Sequence, residues 1–205
     1  MSHDHHHPRP ASTVELRAGA LEALLAERGI VSTDAIDAVV EHFERDVGPQ
    51  NGAKVVARAW VDAGYRERLL SDANQAIAEL GFAGAEADNL VVVANTPEIH
   101  NMIVCTLCSC YPWPVLGLPP TWYKSPPYRA RAVSEPRAVL SEFGLELGEE
   151  IEIRVWDSSA EVRYLVLPMR PTGTADWNES ELAAIVSRDC MIGTAVPIVQ
   201  ESVTA

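Results

Sequence analysis

The sequence lacks the features that mark secreted and membrane proteins. Its 205 residues contain only four cysteines, too few and too unevenly spread for the disulfide framework of a small secreted domain. No run approaches ~18 consecutive apolar residues, so no transmembrane helix is predicted. The N-terminus also lacks the basic-then-apolar pattern of a secretory signal. We therefore expect a cytoplasmic protein that has no membrane partner.

Basic residues are also scarce. The chain has 16 Lys and Arg residues against 29 Asp and Glu residues, a formal net charge of −13, and no basic patch stands out along it. Proteins that bind nucleic acids neutralise phosphates with clustered cationic side chains. We therefore expect no nucleic-acid partner.

The patterns along the chain predict three segments. Residues 1–11 form a flexible leader with four of the six histidines, either a metal-scavenging tail or an unstructured leader, native or engineered. Residues 12–50 are predicted to form an N-terminal helical arm of two helices, the second ending at Gly48-Pro49. Residues 51–205 are predicted to form the catalytic, metal-binding domain.

The pattern within residues 51–205 predicts an α+β fold. Four helices are predicted in it, over residues 51–63, 65–80, 136–143 and 182–188. The β-branched run Leu90–Ala94 predicts a buried strand. Two further strands are predicted over 151–155 and 162–167, paired as a hairpin. Residues 111–127 contain six prolines, which predicts an ordered loop rather than a helix or a central strand.

The chemistry is concentrated in a cluster of three cysteines, Cys105, Cys108 and Cys110. Clustered thiols in an intracellular chain indicate metal or redox chemistry. A structural zinc site or an iron–sulfur cluster normally needs four ligands, and only His100 or the remote Cys190 is available as the fourth. A redox dithiol could use two of the cysteines but would leave the third without a role.

The Cys108-Ser109-Cys110 spacing also permits a different metal site. Two thiolates and the intervening amide nitrogens can bind one ion in a plane, with Cys105 supplying an axial sulfur. Such a strong ligand field suits a small trivalent ion and leaves one coordination position open, as a catalytic metal requires. The spacing alone does not decide between this site and the other metal or redox sites.

The segment Val104–Tyr128, VCTLCSCYPWPVLGLPPTWYKSPPY, closely resembles the metal-site signature of nitrile hydratase α subunits. Further segments resemble the same family: Gly52–Ala57, Glu135–Arg137, Ile153–Asp157 and Arg188–Gly193. The similarity spans residues 13–198, and its cysteine segment is highly specific to this family.

This resemblance implies a fold, an activity and a metal. The fold is α+β, with an N-terminal helical arm followed by a layered α/β/β/α domain that carries the metal-binding loop. The activity is the hydration of nitriles to amides by a low-spin Co(III) centre, with Fe(III) as the alternative metal. Thr106 is the cobalt-type variant, since serine usually accompanies iron at this position.

The resemblance also assigns roles to single residues. The metal ligands are Cys105, Cys108, Ser109 and Cys110, with Ser109 bound through its amide nitrogen. Cys105 stays a thiolate, while Cys108 becomes a sulfinate and Cys110 a sulfenate. Cys108, Ser109 and Cys110 are the catalytic residues, and Trp113 lines the pocket for a small nitrile substrate.

A partner subunit is implied as well. The family pairs the α subunit with a β subunit, as an αβ heterodimer that assembles to α2β2, and an activator protein inserts cobalt. Several anionic ligands leave the centre negative, so it needs nearby cations. Residues 104–111 contain no lysine or arginine, so these cations must come from elsewhere, and in the family the β subunit supplies them. Arg129 and Arg131 are expected to be ion-pair residues at the surface or at an interface.

Two other functions stay open. The related subunit of thiocyanate hydrolase shares the cysteine signature, but it usually has arginine where this chain has Trp113. An apolar ring favours a neutral nitrile over an anion. A metal storage or delivery protein is suggested only by the histidines of the leader. The chain also departs from the nitrile hydratase pattern at Glu86, where many relatives have glutamine and a carboxylate changes the local charge.

Overall fold

The computed structural model describes residues 13–82, 89–108 and 110–199. The histidine-containing leader, Glu86 and Ser109 lie outside the described residues. The chain divides into two compact units between Glu41 and His42. The predicted domain boundary after residue 50 stays a prediction.

The first unit consists of two helices, α1 (Thr13–Glu27) and α2 (Thr33–Glu41). Neither helix contains a buried residue. The apolar side chains of Val14 and Leu16 are 74% and 63% exposed. The two helices therefore present apolar side chains that they do not bury between themselves.

The second unit begins with helical segments. A π-helical segment (His42–Val47) leads into α3 (Gly48–Val61), which is followed by α4 (Ala63–Ser71) and α5 (Ala73–Glu79). The predicted helix end at Gly48-Pro49 is wrong because Pro49 stands in the first turn of α3, where no N–H is needed for an intrahelical bond. The predicted single helix over 65–80 is interrupted at Asp72, whose carboxylate accepts from the Gln75 N–H at 3.0 Å and caps α5.

The described strands form two parallel pairs. They are β1 (Leu90–Ala94), β2 (Ile99–Val104), β3 (Glu152–Asp157) and β4 (Arg163–Leu167). β1 pairs with β4, and β2 pairs with β3. The strand at β1 is confirmed, but the predicted hairpin between the last two strands is wrong. β1 and β4 contain runs of buried apolar residues, which is typical of parallel strands covered on both faces rather than of a hairpin with one face in water.

The pairing of β2 with β3 brings the carboxyl ends of both strands to one edge. Val104 pairs with Asp157 in the register, and the Ser158 N–H donates to the Val104 carbonyl at 2.7 Å. Cys105 follows β2 directly. The edge at which parallel strands end therefore carries the cysteines, as is common for binding sites built on parallel strands.

Short helical elements follow the cysteines. They are α6 (Trp113–Leu116), a 3₁₀ turn (Thr121–Lys124), α7 (Pro126–Ser134), α8 (Pro136–Glu142), α9 (Glu179–Ala184) and α10 (Arg188–Ile192). The predicted irregular loop over 111–127 is partly wrong, because prolines occupy the first turns of α6 and α7 and begin these helices. The predicted helix over 182–188 ends early, and α10 begins separately.

These helices and strands together confirm the predicted α+β class. The apolar core lies in the second unit, where α3 contributes Val55 and Val56 and β4 contributes Leu165 and Val166, all without exposed surface. No helix among the described residues is both long enough and apolar enough to cross a membrane.

Buried polar side chains connect β2 to the end of α10. His100 Nε2 lies 2.7 Å from the Gly193 carbonyl oxygen, and His100 Nδ1 lies 3.4 Å from the side-chain nitrogen of Asn95. The Asn95 side-chain oxygen accepts from the N–H and the amide group of Asn101, at 2.8 and 3.0 Å, so its NH₂ group faces the imidazole. These contacts are satisfied by a neutral His100 that carries its proton on Nε2 and donates it to Gly193.

Acidification is expected to destabilise the fold through His100. Burial lowers the pKa of His100, so the unfolded chain binds this proton first as the pH falls. The contribution to stability is complete above the unfolded pKa of about 6.5 and is lost as the pH falls through the folded pKa, by about 1.4 kcal/mol per pH unit in that window. Urea unfolding at about pH 7.5 and about pH 5 measures this effect. Between the two, the free energy of unfolding should fall more for the parent than for His100→Gln. Equal losses would contradict this expectation.

Candidate metal centre

The three clustered cysteines converge at the end of β2. The Sγ atoms of Cys105 and Cys108 are 3.4 Å apart, and those of Cys108 and Cys110 are 3.0 Å apart. All three sulfurs lie within 4.8 Å of one another, and none is in a disulfide. Cys105 is buried, Cys110 is half-buried and Cys108 is exposed. One cation can therefore reach all three sulfurs from the side where Cys108 meets the surface.

Asp157 fixes the start of the cysteine loop, which we define as residues 105–110. Its carboxylate accepts two hydrogen bonds from Thr106, from the backbone N–H at 2.9 Å and from the hydroxyl at 2.6 Å. Because Asp157 ends β3 and Cys105 follows β2, this pair ties the loop to the parallel strands. Sequence reasoning singled out Thr106 as a marker of metal type but missed Asp157, which lies at the end of the family-like segment Ile153–Asp157.

Two residues from the following elements hold the middle and the end of the loop. Arg129, on α7, donates from Nη1 to the Cys108 carbonyl at 2.9 Å. The Tyr123 hydroxyl, in the 3₁₀ turn, donates to the Cys110 carbonyl at 3.2 Å. The Cys108 N–H also points at the Cys105 sulfur, at 3.3 Å. The loop is thus held mainly through its peptide groups, while the three sulfurs lie close enough together to share one ligand.

The position of Arg129 corrects an expectation from the sequence. The cations near the cysteines were expected from outside residues 104–111, in the family from the β subunit, and Arg129 was expected to form an ion pair at the surface or an interface. In the structure its guanidinium contacts the cysteine loop. The expectation for Arg131 is confirmed, because it pairs with Glu135 and Glu142, each at 2.7 Å.

The thiol chemistry of the cluster fits a bound cation. Burial, followed by the hydrogen bond and the negative charge of the neighbouring cysteines, raises the pKa of the Cys110 thiol. Three thiolates this close together repel one another unless a positive charge lies between them. A metal ion of high charge supplies that positive charge, and thiolates are ligands for such an ion.

The fourth ligands considered from the sequence do not join the cluster. His100 uses Nε2 at Gly193 and faces Asn95 with Nδ1. Cys190 is buried, and its sulfur lies 3.2 Å from the Ser187 hydroxyl oxygen. Among the residues that the structure describes, the cluster has three side-chain members. This arrangement does not favour a closed four-ligand zinc site or an iron–sulfur cluster.

The aromatic residues near the loop differ in their surroundings. Tyr111 is 1% exposed, and its ring packs edge-on to Tyr123 at 5.2 Å, as expected of a core residue. Trp113, at the start of α6, is only half-buried and packs edge-on to Phe43 at 5.3 Å. The role of Trp113 in a substrate pocket stays a prediction, as does the metal-binding role of Ser109, which lies outside the described residues.

Comparison with known proteins gives one consistent family. The family model for the nitrile hydratase alpha chain matches residues 12–195. The chain is 56% identical over 190 residues to the low-molecular weight cobalt-containing nitrile hydratase subunit alpha of Rhodococcus rhodochrous, covering 93% of this chain and 92% of that subunit. It is 43% identical over 197 residues to the thiocyanate hydrolase subunit gamma of Thiobacillus thioparus, covering 91% and 81%.

A solved structure agrees with these sequence matches. A double mutant of the Fe-type nitrile hydratase from Comamonas testosteroni Ni1 matches with a TM-score of 0.82 and 44% identity, over 94% of this chain and 98% of that chain. The cysteine cluster therefore sits in a fold shared over nearly the whole chain. By sequence and by structure, the chain belongs to the nitrile hydratase alpha-chain family.

Proposed function

We propose that this chain is the metal-carrying subunit of an enzyme that hydrates nitriles to amides, and that its metal is Co(III). The observation that carries the proposal is the convergence of the Cys105, Cys108 and Cys110 sulfurs within 4.8 Å. The Rhodococcus rhodochrous relative is named as a cobalt-containing enzyme subunit, which supports cobalt over Fe(III). Thr106, the cobalt-type variant, gives the same indication.

The proposed ligands are the three cysteine sulfurs together with backbone amide nitrogens of the loop, that of Ser109 among them. We propose that an external oxidant such as dioxygen oxidises Cys108 to a sulfinate and Cys110 to a sulfenate, while buried Cys105 stays a thiolate. A bound trivalent ion supplies Lewis acidity, which polarises a nitrile or acidifies a water molecule. We also propose a cytoplasmic location, since the described cysteines form no disulfide and such thiols suit a reducing compartment.

Residues of this chain then have distinct tasks. The oxygen on the Cys110 sulfur would act in one of two ways: as a nucleophile that adds to the nitrile carbon and is regenerated when water releases the amide, or as a base that takes a proton from the water that adds to that carbon. The half-buried ring of Trp113 offers an apolar wall for the organic part of the substrate. The Asp157 carboxylate keeps Thr106 in place, so the loop does not need to reorganise during turnover.

A β subunit is proposed to complete the site. Leu107, between the first two cysteines, is 85% exposed, and Cys108 beside it is exposed too. The helices of the first unit also expose apolar side chains. In each unit taken by itself, exposed apolar side chains of this kind are typical of a surface that a partner subunit covers. We propose an αβ heterodimer that assembles to α2β2, with an activator protein for cobalt insertion.

Thiocyanate hydrolysis is the second candidate, because a thiocyanate hydrolase subunit is among the relatives. Thiocyanate is an anion, and a site for it benefits from a cation at the pocket wall. The aromatic ring of Trp113 offers no charge, which favours a neutral nitrile.

Co-expression of this chain with its β subunit in the presence of cobalt tests the proposal. We expect one cobalt per α chain, two added oxygens on the Cys108 sulfur, one on the Cys110 sulfur, and turnover of small nitriles. Elemental analysis, peptide mass spectrometry and an amide assay measure these quantities, and light scattering gives the assembly. Stoichiometric zinc with full activity, unmodified thiols in active enzyme, or an active monomer of this chain alone would contradict it.

A further inference from the structure

We propose that Arg129 is a positioning residue for the metal centre, holding the peptide group of Cys108 so that its sulfur stands between the other two. This inference deepens the proposed function, because it concerns how the chain holds the metal. It can be tested by metal binding alone, so its outcome is independent of which substrate is turned over.

Cys108 is the central member of the cluster and the most weakly enclosed. Its sulfur is within 3.4 Å of both Cys105 and Cys110, yet its side chain is exposed. Cys105 is anchored by its burial after β2. The backbone of Cys108 is held on both sides: its N–H points at the Cys105 sulfur at 3.3 Å, and the Arg129 guanidinium donates to its carbonyl at 2.9 Å. The contact with Arg129 therefore fixes one side of the peptide frame from which the central sulfur projects.

The helix that carries Arg129 is rigidly placed. The Ser125 hydroxyl caps α7 by accepting from the Tyr128 N–H at 3.3 Å. The Tyr128 hydroxyl donates to the Ile103 carbonyl in β2 at 2.6 Å, and the Tyr128 ring is buried. Arg129 is the next residue, so its side chain starts from a backbone that is fixed to the strand preceding Cys105. Both partners of the Arg129–Cys108 contact are thus attached to β2: Arg129 through Tyr128, and Cys108 through the loop that follows the strand.

The residues that the structure describes pair the Arg129 guanidinium only in part. Its Nε is buried without a hydrogen-bond partner, and among the described residues it forms no ion pair with a carboxylate. A buried guanidinium donor without an acceptor is unfavourable. Arg131, on the same helix, has two carboxylate partners, Glu135 and Glu142. The contrast indicates different roles for the two arginines. Arg131 stabilises the helices, whereas Arg129 binds the cysteine loop and places a positive charge near the anionic centre that the loop would hold.

A cobalt titration of the metal-free αβ complex tests this inference. Co²⁺ is added to the parent, Arg129→Gln, Arg129→Lys and Arg131→Gln, and binding is followed by the sulfur-to-cobalt charge-transfer absorption. We expect Arg129→Gln to weaken the apparent affinity by about 10- to 100-fold, the range seen when a residue that orients a metal ligand is removed. Arg129→Lys should recover most of this loss, because an ammonium group can also donate to the Cys108 carbonyl.

Arg131→Gln is the matched control. It removes an arginine of the same helix and is expected to lower the thermal midpoint of unfolding while leaving the cobalt affinity within about twofold of the parent. Unchanged affinity in Arg129→Gln overturns the inference. So does an equal loss in Arg131→Gln, which would trace the effect to helix stability, or a failure of Arg129→Lys to recover affinity in a folded complex. Normal cobalt binding without nitrile turnover would instead count against the proposed function.

Discussion

Replacing Cys110 with alanine is expected to abolish nitrile hydration in the αβ complex. The change removes a sulfur that lies 3.0 Å from the Cys108 sulfur and, under the proposed mechanism, the oxygen that acts on the nitrile carbon. Lewis-acid catalysis contributes several kcal/mol, and each ~1.4 kcal/mol is a factor of ten in rate. We therefore expect a loss in kcat of at least about 10³-fold, measured by amide formation, together with loss of bound cobalt by elemental analysis.

Cys190→Ala is the matched control for this change. Cys190 is also a free cysteine, but it is buried in α10 and contacts Ser187 rather than the cluster. It should keep the cobalt content and most of the activity, at a stability loss of about 1 kcal/mol. If Cys110→Ala retained cobalt and turned nitriles over at the parent rate, the assignment of the metal centre to the cysteine loop would be wrong.

Gly193→Ala is expected to have the largest effect on folding. Gly193 has a φ of +91°, and a Cβ there would lie 2.0 Å from the Asn101 carbonyl oxygen and 2.9 Å from the Met102 Cα. Both atoms belong to the backbone of β2, which cannot yield without disturbing its pairing with β3. The shift would also move the Gly193 carbonyl away from His100. We expect a loss of at least about 4 kcal/mol in the free energy of unfolding, or on the order of 10 °C in Tm.

Gly173→Ala separates the two causes of this loss, which are the positive φ and the clash with β2. Gly173 has a similar φ of +81°, but no atom lies within 4 Å of the position that its Cβ would take. It should lose only about 1 kcal/mol, from the left-handed backbone conformation. Urea unfolding of both variants measures the difference, which reports the clash with β2. Similar losses in the two variants would show that the end of α10 does not press against β2 as closely as described.

The elements of this fold were easier to predict than their pairing. Leu90–Ala94 was correctly predicted as a buried strand because five consecutive apolar residues suit no exposed element. The partner of that strand was not predictable in the same way. Residues 151–155 and 162–167 are close in sequence, so a hairpin was expected, yet each pairs with a strand more than 45 residues earlier. Pairing depends on helices that cover the sheets, which local patterns do not encode.

In the candidate site, too, features local in sequence were predictable, whereas contacts between distant residues were not. The cysteines were found from their spacing, since three thiols in six residues are rare without a ligand. The residues that hold them were not found, because Asp157 and Arg129 are distant in sequence from the groups they bind, by 51 and 21 residues. A charged residue on a strand end or a helix surface has no sequence signal that distinguishes it from an ordinary solvated one. The prolines of residues 111–127 led to the prediction of a loop without helices. This was partly wrong because proline disfavours helix interiors but favours first turns.

The parallel pairing of β2 with β3 also sets the order of events during biosynthesis. The cysteines leave the ribosome before Asp157 has been synthesised, and a parallel strand pair cannot form until its second strand is available. Contacts between residues this far apart in the chain form late in folding. Until then Thr106 has no carboxylate to bind, and the three thiols are not held at one edge. Under the proposed function, the metal centre would then be complete only in the finished fold, and cobalt would bind a chain whose strands have already paired.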